Sequence, residues 1–299
     1  MTRWAFLQET PPVPLWAALV VLPALVSLAV SPPAFEPGFD WTLVGKAFDR
    51  WQATGSPYRV PPTFWDPCVV TPYLYPPSSW PLLALAKIVP FPVLALGLVP
   101  AVARPPRWWL APVAVALMVV GLPSAFYLGN VNLLIVGLLV ASFAPGRIGG
   151  IAFAAAVGIK GYPIVLLPFL VADRERVRWF AGVLIGLVVS GTVLFPSGWG
   201  AVALTLLRQG PHCDQTLNPF ADVGFLRVIP AAGLIVLGWR LRSPAVALIG
   251  ATFFGGVVSR HYAPTIASVL AFEGTPAVRV DLRGTRNRKR MPNDRLLRP

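Results

Sequence analysis

The sequence predicts an all-α, polytopic integral membrane protein with about ten transmembrane helices, some of them short or broken. First, 56% of its 299 residues are apolar and only 12% are charged, with a mean hydropathy of +0.66. Soluble domains carry about twice that charged share. Second, apolar runs long enough to enter a bilayer recur along the chain. Third, the 34 prolines lie within apolar runs, and the absence of a Gly-x-y period together with eleven tryptophans excludes a collagen-like or disordered chain.

The apolar runs give the spans in order. They are Val13–Val30, Trp80–Ala103, Trp108–Phe126, Val131–Ala144, Ile148–Ile159, Tyr162–Val171, Trp179–Phe195, Leu226–Trp239, Pro244–Val258 and Ala263–Phe272. The first run is longer than the apolar region of a signal peptide and contains Pro23, so it predicts an uncleaved helix. Pro90, Pro92 and Pro100 each remove a backbone donor and predict a bend in the second span.

Between the first two spans, apolar side chains recur at helical spacing. Trp41, Val44, Phe48 and Trp51 predict a short amphipathic helix that lies on the membrane surface. Asp40 comes just before this stripe, and two interpretations of it stay open. Its position alone favours a helix N-cap that satisfies free N–H groups. The alternative is a carboxylate held at the surface as a general base.

The basic residues orient the chain. With the N-terminus inside, 17 of the 25 Lys and Arg side chains fall on the cytoplasmic side. This orientation requires the run around Lys160 to break into two short helices, with Lys160 at the outer surface. Residues 1–272 then form the transmembrane domain, and residues 273–299 form a basic, disordered cytoplasmic tail. The net charge of +13 therefore records orientation and contact with membrane lipid, and it does not indicate nucleic acid.

Polar side chains gather at the predicted outer ends of the spans. They are Asp40, Tyr58, Tyr75, Asn130, Asn132, Lys160, Arg260 and His261. Taken singly, the tyrosines fit interface anchors and Lys160 fits a cation that reaches the headgroups. One carboxylate with several cations on one face suits a phosphate-bearing ligand and a hydroxyl to be deprotonated.

Four segments resemble, in order and spacing, glycosyltransferase family 87, the polyprenol-phosphate-mannose-dependent mannosyltransferases of the GT-C superfamily. Phe39-Asp40-Trp41 with Gly55-Ser56-Pro57-Tyr58 resembles the family's aspartate-led helix and G-x-P-Y turn. Tyr73–Pro77 is similar to its Y-P-P entrance, and Gly129–Asn132 to its G-Q-x-N element, with Asn130 in place of glutamine. Ile159–Pro163 resembles its lysine–proline break, and Asp214–Leu217 is a looser match to an N-Q-S-L loop.

The resemblance implies a GT-C-like fold and an inverting transfer of a hexose, expected to be mannose, from a polyprenyl-phosphate donor. The acceptor would be lipid-linked or a glycan, and the reaction would take place on the outer face of a bacterial plasma membrane with both termini cytoplasmic. Asp40 would be the general base. Lys160, with His261 and Arg260, would bind the donor phosphate, and Tyr58, Tyr75, Asn130 and Asn132 are possible substrate-binding residues. We expect no cofactor and no metal, since the chain contains no D-x-D, G-x-G-x-x-G, Walker A or H-E-x-x-H sequence.

Two alternatives stay open beside the transferase. Broken helices and intramembrane cations also mark transporters and lipid flippases. The short C-terminal region suggests, as a further alternative, a truncated, non-catalytic homologue. Cys68 and Cys213 both fall in predicted outer loops, where they either form a disulfide or remain free thiols.

Overall fold

The computed structural model describes residues 9–30, 36–60, 73–208, 226–254 and 260–273, and within these ranges it is all-helical. The α-helices are α1 Val13–Val30, α2 Phe39–Thr54, α3 Trp80–Ile88, α4 Val99–Val102, α5 Ala111–Tyr127, α6 Asn132–Ser142, α7 Gly146–Lys160, α8 Leu167–Leu170, α9 Arg174–Leu194, α10 Gly198–Arg208, α11 Val228–Leu241, α12 Pro244–Phe254 and α13 Ala263–Val269. Short 3₁₀ segments join several of them, of which Phe91–Leu98 is the longest. Cys68, Cys213, the Asp214–Leu217 loop and the tail beyond residue 273 lie outside the described residues.

The helices run between two chemically different ends. At the first, which we call the basic end, the guanidinium of Arg104 lies 5.7 Å from the ring centroid of Phe272, and Phe272 stacks on Phe143 at 3.9 Å. There the Asp173 carboxylate also accepts a 2.7 Å hydrogen bond from the backbone N–H of Gly146. The chain therefore leaves this end at the start of α7 and has returned to it before α9 begins.

That return depends on the break that the sequence predicts beside Lys160. Helix α7 ends at Lys160, and the chain continues through Gly161 into the 3₁₀ segment Tyr162–Leu166 and the one-turn helix α8. Lys160 therefore lies at the opposite end of the bundle from Arg176, as the broken-helix interpretation requires. The predicted break is confirmed.

The second predicted span is sharply bent. The segments Pro77–Ile88 and Phe91–Val102 meet at 119°. Helix α3 lies antiparallel along α2, where Lys87 pairs with Asp49 at 2.7 Å and the Trp41 indole donates to the Val89 carbonyl at 2.7 Å. Only Phe91–Val102 then runs into the bundle. Pro90 and Pro92 interrupt the helix, so the predicted bend is confirmed, and whether the two halves form a single span stays a prediction.

Helix α6 forms the centre of the packed body. Leu133, Ile135, Val136 and Leu139 have no measurable exposure. The segment Phe91–Leu98 crosses α6 with backbone against backbone, because Gly97 and Gly137 lack the side chains that would hold the two apart. Close approach at small residues is the usual way that helices associate within membranes.

By length and composition, two of the described helices, α1 and α9, could each cross a bilayer, or three segments if the bent pair counts as one. Both helices expose large apolar side chains, such as Val26 at 62% and Val193 at 76%. Such contiguous apolar surface fits contact with lipid. The predicted bounds of α1 are confirmed, whereas the ten crossings stay a prediction.

Candidate functional site

Asp40 lies in the first turn of α2, which is fixed to the end of α5. The backbone N–H of Gly38 donates to Tyr127 at 2.7 Å, and that of Asp40 donates to Leu128 at 2.9 Å. Gly38 has φ 76° in the left-handed region, and a Cβ there would lie 2.6 Å from the Phe91 ring, so the entry to α2 requires glycine. Gly38, without a capping side chain, occupies the N-cap position. The N-cap interpretation of Asp40 is therefore wrong.

The Asp40 carboxylate instead accepts a hydrogen bond from a side chain 90 residues away. The amide of Asn130 donates to Asp40 Oδ2 at 2.6 Å. The other atom of the same amide, Asn130 Oδ1, accepts from the backbone N–H of Asn132 at 2.9 Å. The Asn132 side chain then donates to the backbone carbonyl of His261 at 2.9 Å. These three contacts, which we call the asparagine relay, connect Asp40 to the segment Arg260–Tyr262, which directly precedes α13.

Lys160 lies between two aromatic rings at this end. Its Nζ is 4.8 Å from the ring centroid of Tyr262 and 5.6 Å from that of Tyr75. Cation–π attraction of this kind holds an ammonium group without neutralising it. Neither of the two ion pairs found in the described ranges includes Lys160. Lys160 is thus a partly buried side chain held between two rings, rather than one extended into solvent.

Burial, together with the neighbouring groups, shifts the pKa values of Asp40 and His261. Burial raises the pKa of Asp40 above its usual value, although the Asn130 hydrogen bond and the Lys160 charge both lower it. For His261, burial and the nearby charges of Lys160 and Arg260 lower the pKa to about 4. Asp40 is therefore a stronger base than an exposed aspartate. His261 is neutral near pH 7 and can offer a hydrogen bond but no charge.

The predicted tyrosines form one aromatic cluster beside Lys160. The Tyr58 hydroxyl donates to the Tyr75 carbonyl at 2.7 Å, and the Tyr73 ring lies 5.3 Å from Tyr58 and 5.5 Å from Tyr75. Tyr58 consequently supports the backbone that presents Tyr75, and Tyr75 in turn contacts Lys160. Among the described residues, two buried polar atoms near this end have no hydrogen-bond partner: Asn132 Oδ1 and His261 Nδ1.

The structure brings the predicted residues to one end of the bundle. Asp40, Asn130, Asn132, His261, Lys160, Tyr75 and Tyr58 are joined by the contacts above, and the exposed Arg260 side chain is close enough to affect His261. Sequence reasoning gave no role to Tyr262, which holds Lys160. Its position directly after two candidate phosphate ligands was the available signal.

A separate groove of about 530 Å³ lies on the other side of α2 from Asp40. It is lined by α2, the end of α3 and the turn that follows, and its lining includes Trp41, Phe91, Lys46, Asp49 and Lys87. No group of three or more potential metal-binding side chains occurs in the part of the chain that the structure describes.

These features define a helical membrane protein with a half-buried carboxylate and an unneutralised cation at the same end. A sequence comparison defines the class further, since the family model for glycosyltransferase family 87 matches residues 61–209, about half of the chain. The chain belongs to glycosyltransferase family 87 and is accordingly a glycosyltransferase by family. Tyr75, Asn130, Asn132 and Lys160 lie inside the matched range, whereas Asp40, Tyr58, Arg260 and His261 lie outside it. No curated protein and no solved structure matches the chain significantly.

Proposed function

We propose that this protein transfers a hexose, expected to be mannose, from a polyprenyl-phosphate donor to a hydroxyl of a lipid-linked or glycan acceptor, with inversion at the anomeric carbon. Family membership supports glycosyl transfer in general. The observation that carries the specific mechanism is the arrangement of Asp40 and Lys160. A partly buried carboxylate of raised pKa lies at the same end as a cation that forms no ion pair with it.

Asp40 acts as the general base in this proposal. Its carboxylate removes the proton of the acceptor hydroxyl while the hydroxyl oxygen forms a bond to the anomeric carbon. The bond between that carbon and the phosphate oxygen breaks, and its electron pair leaves with the polyprenyl phosphate. A carboxylate whose pKa is raised by burial is better matched to this proton transfer than an exposed one.

Lys160 stabilises the phosphate that leaves. The rings of Tyr75 and Tyr262 hold the ammonium group in place, so no reorganisation is needed when negative charge develops on the leaving oxygen. Arg260 adds a second positive charge, and neutral His261 offers the buried Nδ1 as a hydrogen-bonding atom. Phosphate is a good leaving group, and these residues stabilise the negative charge that it gains on leaving, so the proposed mechanism uses no general acid and no metal.

Asn132 is the best placed of the four predicted substrate-binding residues to contact a sugar. Its side chain is 1% exposed, and Oδ1 has no hydrogen-bond partner. A buried acceptor without a donor is costly, and a ligand hydroxyl would satisfy it. Tyr58 and Tyr75 support Lys160, and Asn130 contacts Asp40.

The proposed site faces outward across a bacterial plasma membrane, with the termini inside. The grouping of Arg104, Arg147 and Arg176 at the other end of the helices supports this orientation, because cytoplasmic ends are enriched in basic residues. A cysteine at position 178, in a chain with Cys68 and Cys213 replaced by serine, should react only after the membrane is permeabilised. Labelling of that cysteine by an impermeant reagent in intact cells would reverse the orientation.

The test of the reaction is incorporation of label from radiolabelled polyprenyl-phosphate mannose into the lipid and glycan fraction of isolated membranes that contain the protein. We expect Asp40→Asn to abolish incorporation. Asp49→Asn is a matched control, because Asp49 lies on the same helix, is exposed and pairs only with Lys87. Equal incorporation by wild type and Asp40→Asn would refute the assignment of the base. If wild type incorporates no label from polyprenyl-phosphate mannose, and none from other polyprenyl-phosphate hexoses, the proposed donor class is refuted.

A further inference from the structure

We propose that the asparagine relay positions Asp40 and couples its orientation to the segment Arg260–Tyr262. Donor bound at that segment would thereby hold the base in its working position. Asn130 is then a positioning residue that acts through Asp40, and Asn132 transmits the position of the donor segment. This inference rests on the proposed function and adds an order of substrate binding to it: the donor binds first and thereby positions Asp40 to act on the acceptor.

The Asn130 half of the relay is rigid. Its backbone N–H donates to Ala125 at 2.8 Å, and its carbonyl accepts from Leu133 at 3.1 Å, so the residue is fixed to α5 on one side and α6 on the other. The side chain is 8% exposed, and both of its polar atoms are used, one on Asp40 and one on Asn132. A side chain held in this way is poorly suited to bind a substrate but well suited to orient a neighbour.

The Asn132 half reaches the residues proposed to hold the phosphate. The Asn132 amide donates to the His261 carbonyl, and the next residue, Tyr262, places its ring on Lys160. A displacement of this segment therefore moves two groups at once: the His261 carbonyl, which accepts the Asn132 hydrogen bond, and the Tyr262 ring, which contacts Lys160. Since Asn132 and Asn130 are hydrogen-bonded to each other, the displacement also reaches Asp40.

The pH dependence of the reaction reports on this coupling. The groups that act on Asp40 are the Asn130 amide and the Lys160 ammonium, and Tyr75, His261 and Arg260 lie around them. Loss of the Asn130 donor removes an interaction that lowers the pKa of Asp40. The ionised base then forms only at higher pH, so the acidic limb of the rate profile moves upward.

The experiment compares Asn130→Leu, Asn130→Gln and Asn132→Leu in membranes, using label incorporation at varied donor concentration and pH. Asn130→Leu should lower kcat about tenfold or more, as expected for loss of a hydrogen bond to a charged group, and shift the acidic limb upward, with donor KM changed less than twofold. Asn130→Gln, the residue that the family resemblance places here, should restore both properties. Asn132→Leu should raise donor KM and move the acidic limb in the same direction, although it does not touch Asp40.

The possible outcomes distinguish a failure of the proposed coupling through the asparagine relay from a failure of the proposed function. If Asp40→Asn is inactive while Asn130→Leu and Asn132→Leu keep the wild-type pH profile, the relay is refuted and the proposed function stands. If Asp40→Asn is fully active, the proposed function fails whatever the asparagine variants do. A purely structural role for Asn130 would lower the amount of folded protein without moving the pH profile of the remainder, and Asn130→Gln would then give no rescue of the limb.

Discussion

Replacing Gly97 by alanine tests the close backbone contact between the segment Phe91–Leu98 and α6. A Cβ at Gly97 would overlap the backbone carbonyl of Leu133, and the Cα of Leu134 would lie at 3.1 Å. On the facing helix, a Cβ at Gly137 would lie 2.7 Å from the Gly97 carbonyl oxygen. All the obstructing atoms belong to backbone, so no side chain can rotate away, and the two segments must separate.

The expected cost follows from these contacts. Overpacking a core costs about 1–3 kcal/mol, and the backbone obstruction places Gly97→Ala near the upper value. Alanine recovers at most about 1 kcal/mol through its better helical propensity, so the net loss is about 2 kcal/mol. At roughly 2 °C per kcal/mol for a chain of this size, the apparent melting temperature should fall by about 4 °C.

Gly45→Ala is the matched control for this measurement. Gly45 lies inside α2, and a Cβ there meets nothing within 4 Å. The same substitution should therefore stabilise the protein by about 0.5–1 kcal/mol, or raise the melting temperature by about 1–2 °C. Scanning fluorimetry of the purified variants in one detergent measures both. Equal melting temperatures for Gly97→Ala and Gly45→Ala would refute the inferred backbone contact.

Three further predictions concern the charged groups of the site. Burial raises the pKa of Asp40 in the folded state, so this residue contributes its full stabilisation only below the unfolded pKa near 4 and loses it as the pH rises through the folded pKa. At pH 7 the Asp40→Asn protein should therefore melt at a temperature no lower than wild type. A clearly lower melting temperature would contradict this. Because the pKa of His261 is about 4, this residue should give no inflection near pH 6.5 in the pH profile of kcat/KM. An inflection there in wild type that is lost in His261→Gln would contradict this. Lys160→Met should lower kcat by about 10²–10³-fold and move the acidic limb upward, whereas an unchanged kcat would exclude a role in phosphate departure.

Local sequence patterns were sufficient for the features that depend on neighbouring residues. The bounds of α1 follow from its apolar run, and the break after Lys160 follows from Gly161 and Pro163 within an apolar stretch. The apolar stripe on α2 was also predictable from its helical spacing. In the structure Trp41 and Val44 are buried, and the half-buried Trp51 contacts Phe195 with ring centroids 5.2 Å apart. Each of these depends on residues within about two helical turns, where periodicity carries information.

Contacts between distant segments could not be predicted in this way. The run Trp80–Ala103 is apolar throughout, so its composition does not give the angle at which its two halves meet. That angle depends on contacts with other segments, such as the hydrogen bond from the Trp41 indole to the Val89 carbonyl across 48 residues. Likewise, the pattern around Asn130 suggests a surface amide that could bind substrate. Only the folded chain brings that amide to Asp40, and the contact changes its proposed role from binding to positioning.

The separation of Asp40 from Lys160 explains how both groups can remain useful in one apolar setting. If the two formed a direct ion pair, each would satisfy the other, the carboxylate would become a weaker base and the ammonium a weaker phosphate ligand. Instead the cation is held by the faces of Tyr75 and Tyr262, and the carboxylate by a neutral amide. Neither partner carries a formal charge, so on the proposed mechanism both charges stay available for the substrates. The asparagine and the two tyrosines therefore contribute to the proposed chemistry by holding Asp40 and Lys160 in place without pairing their charges.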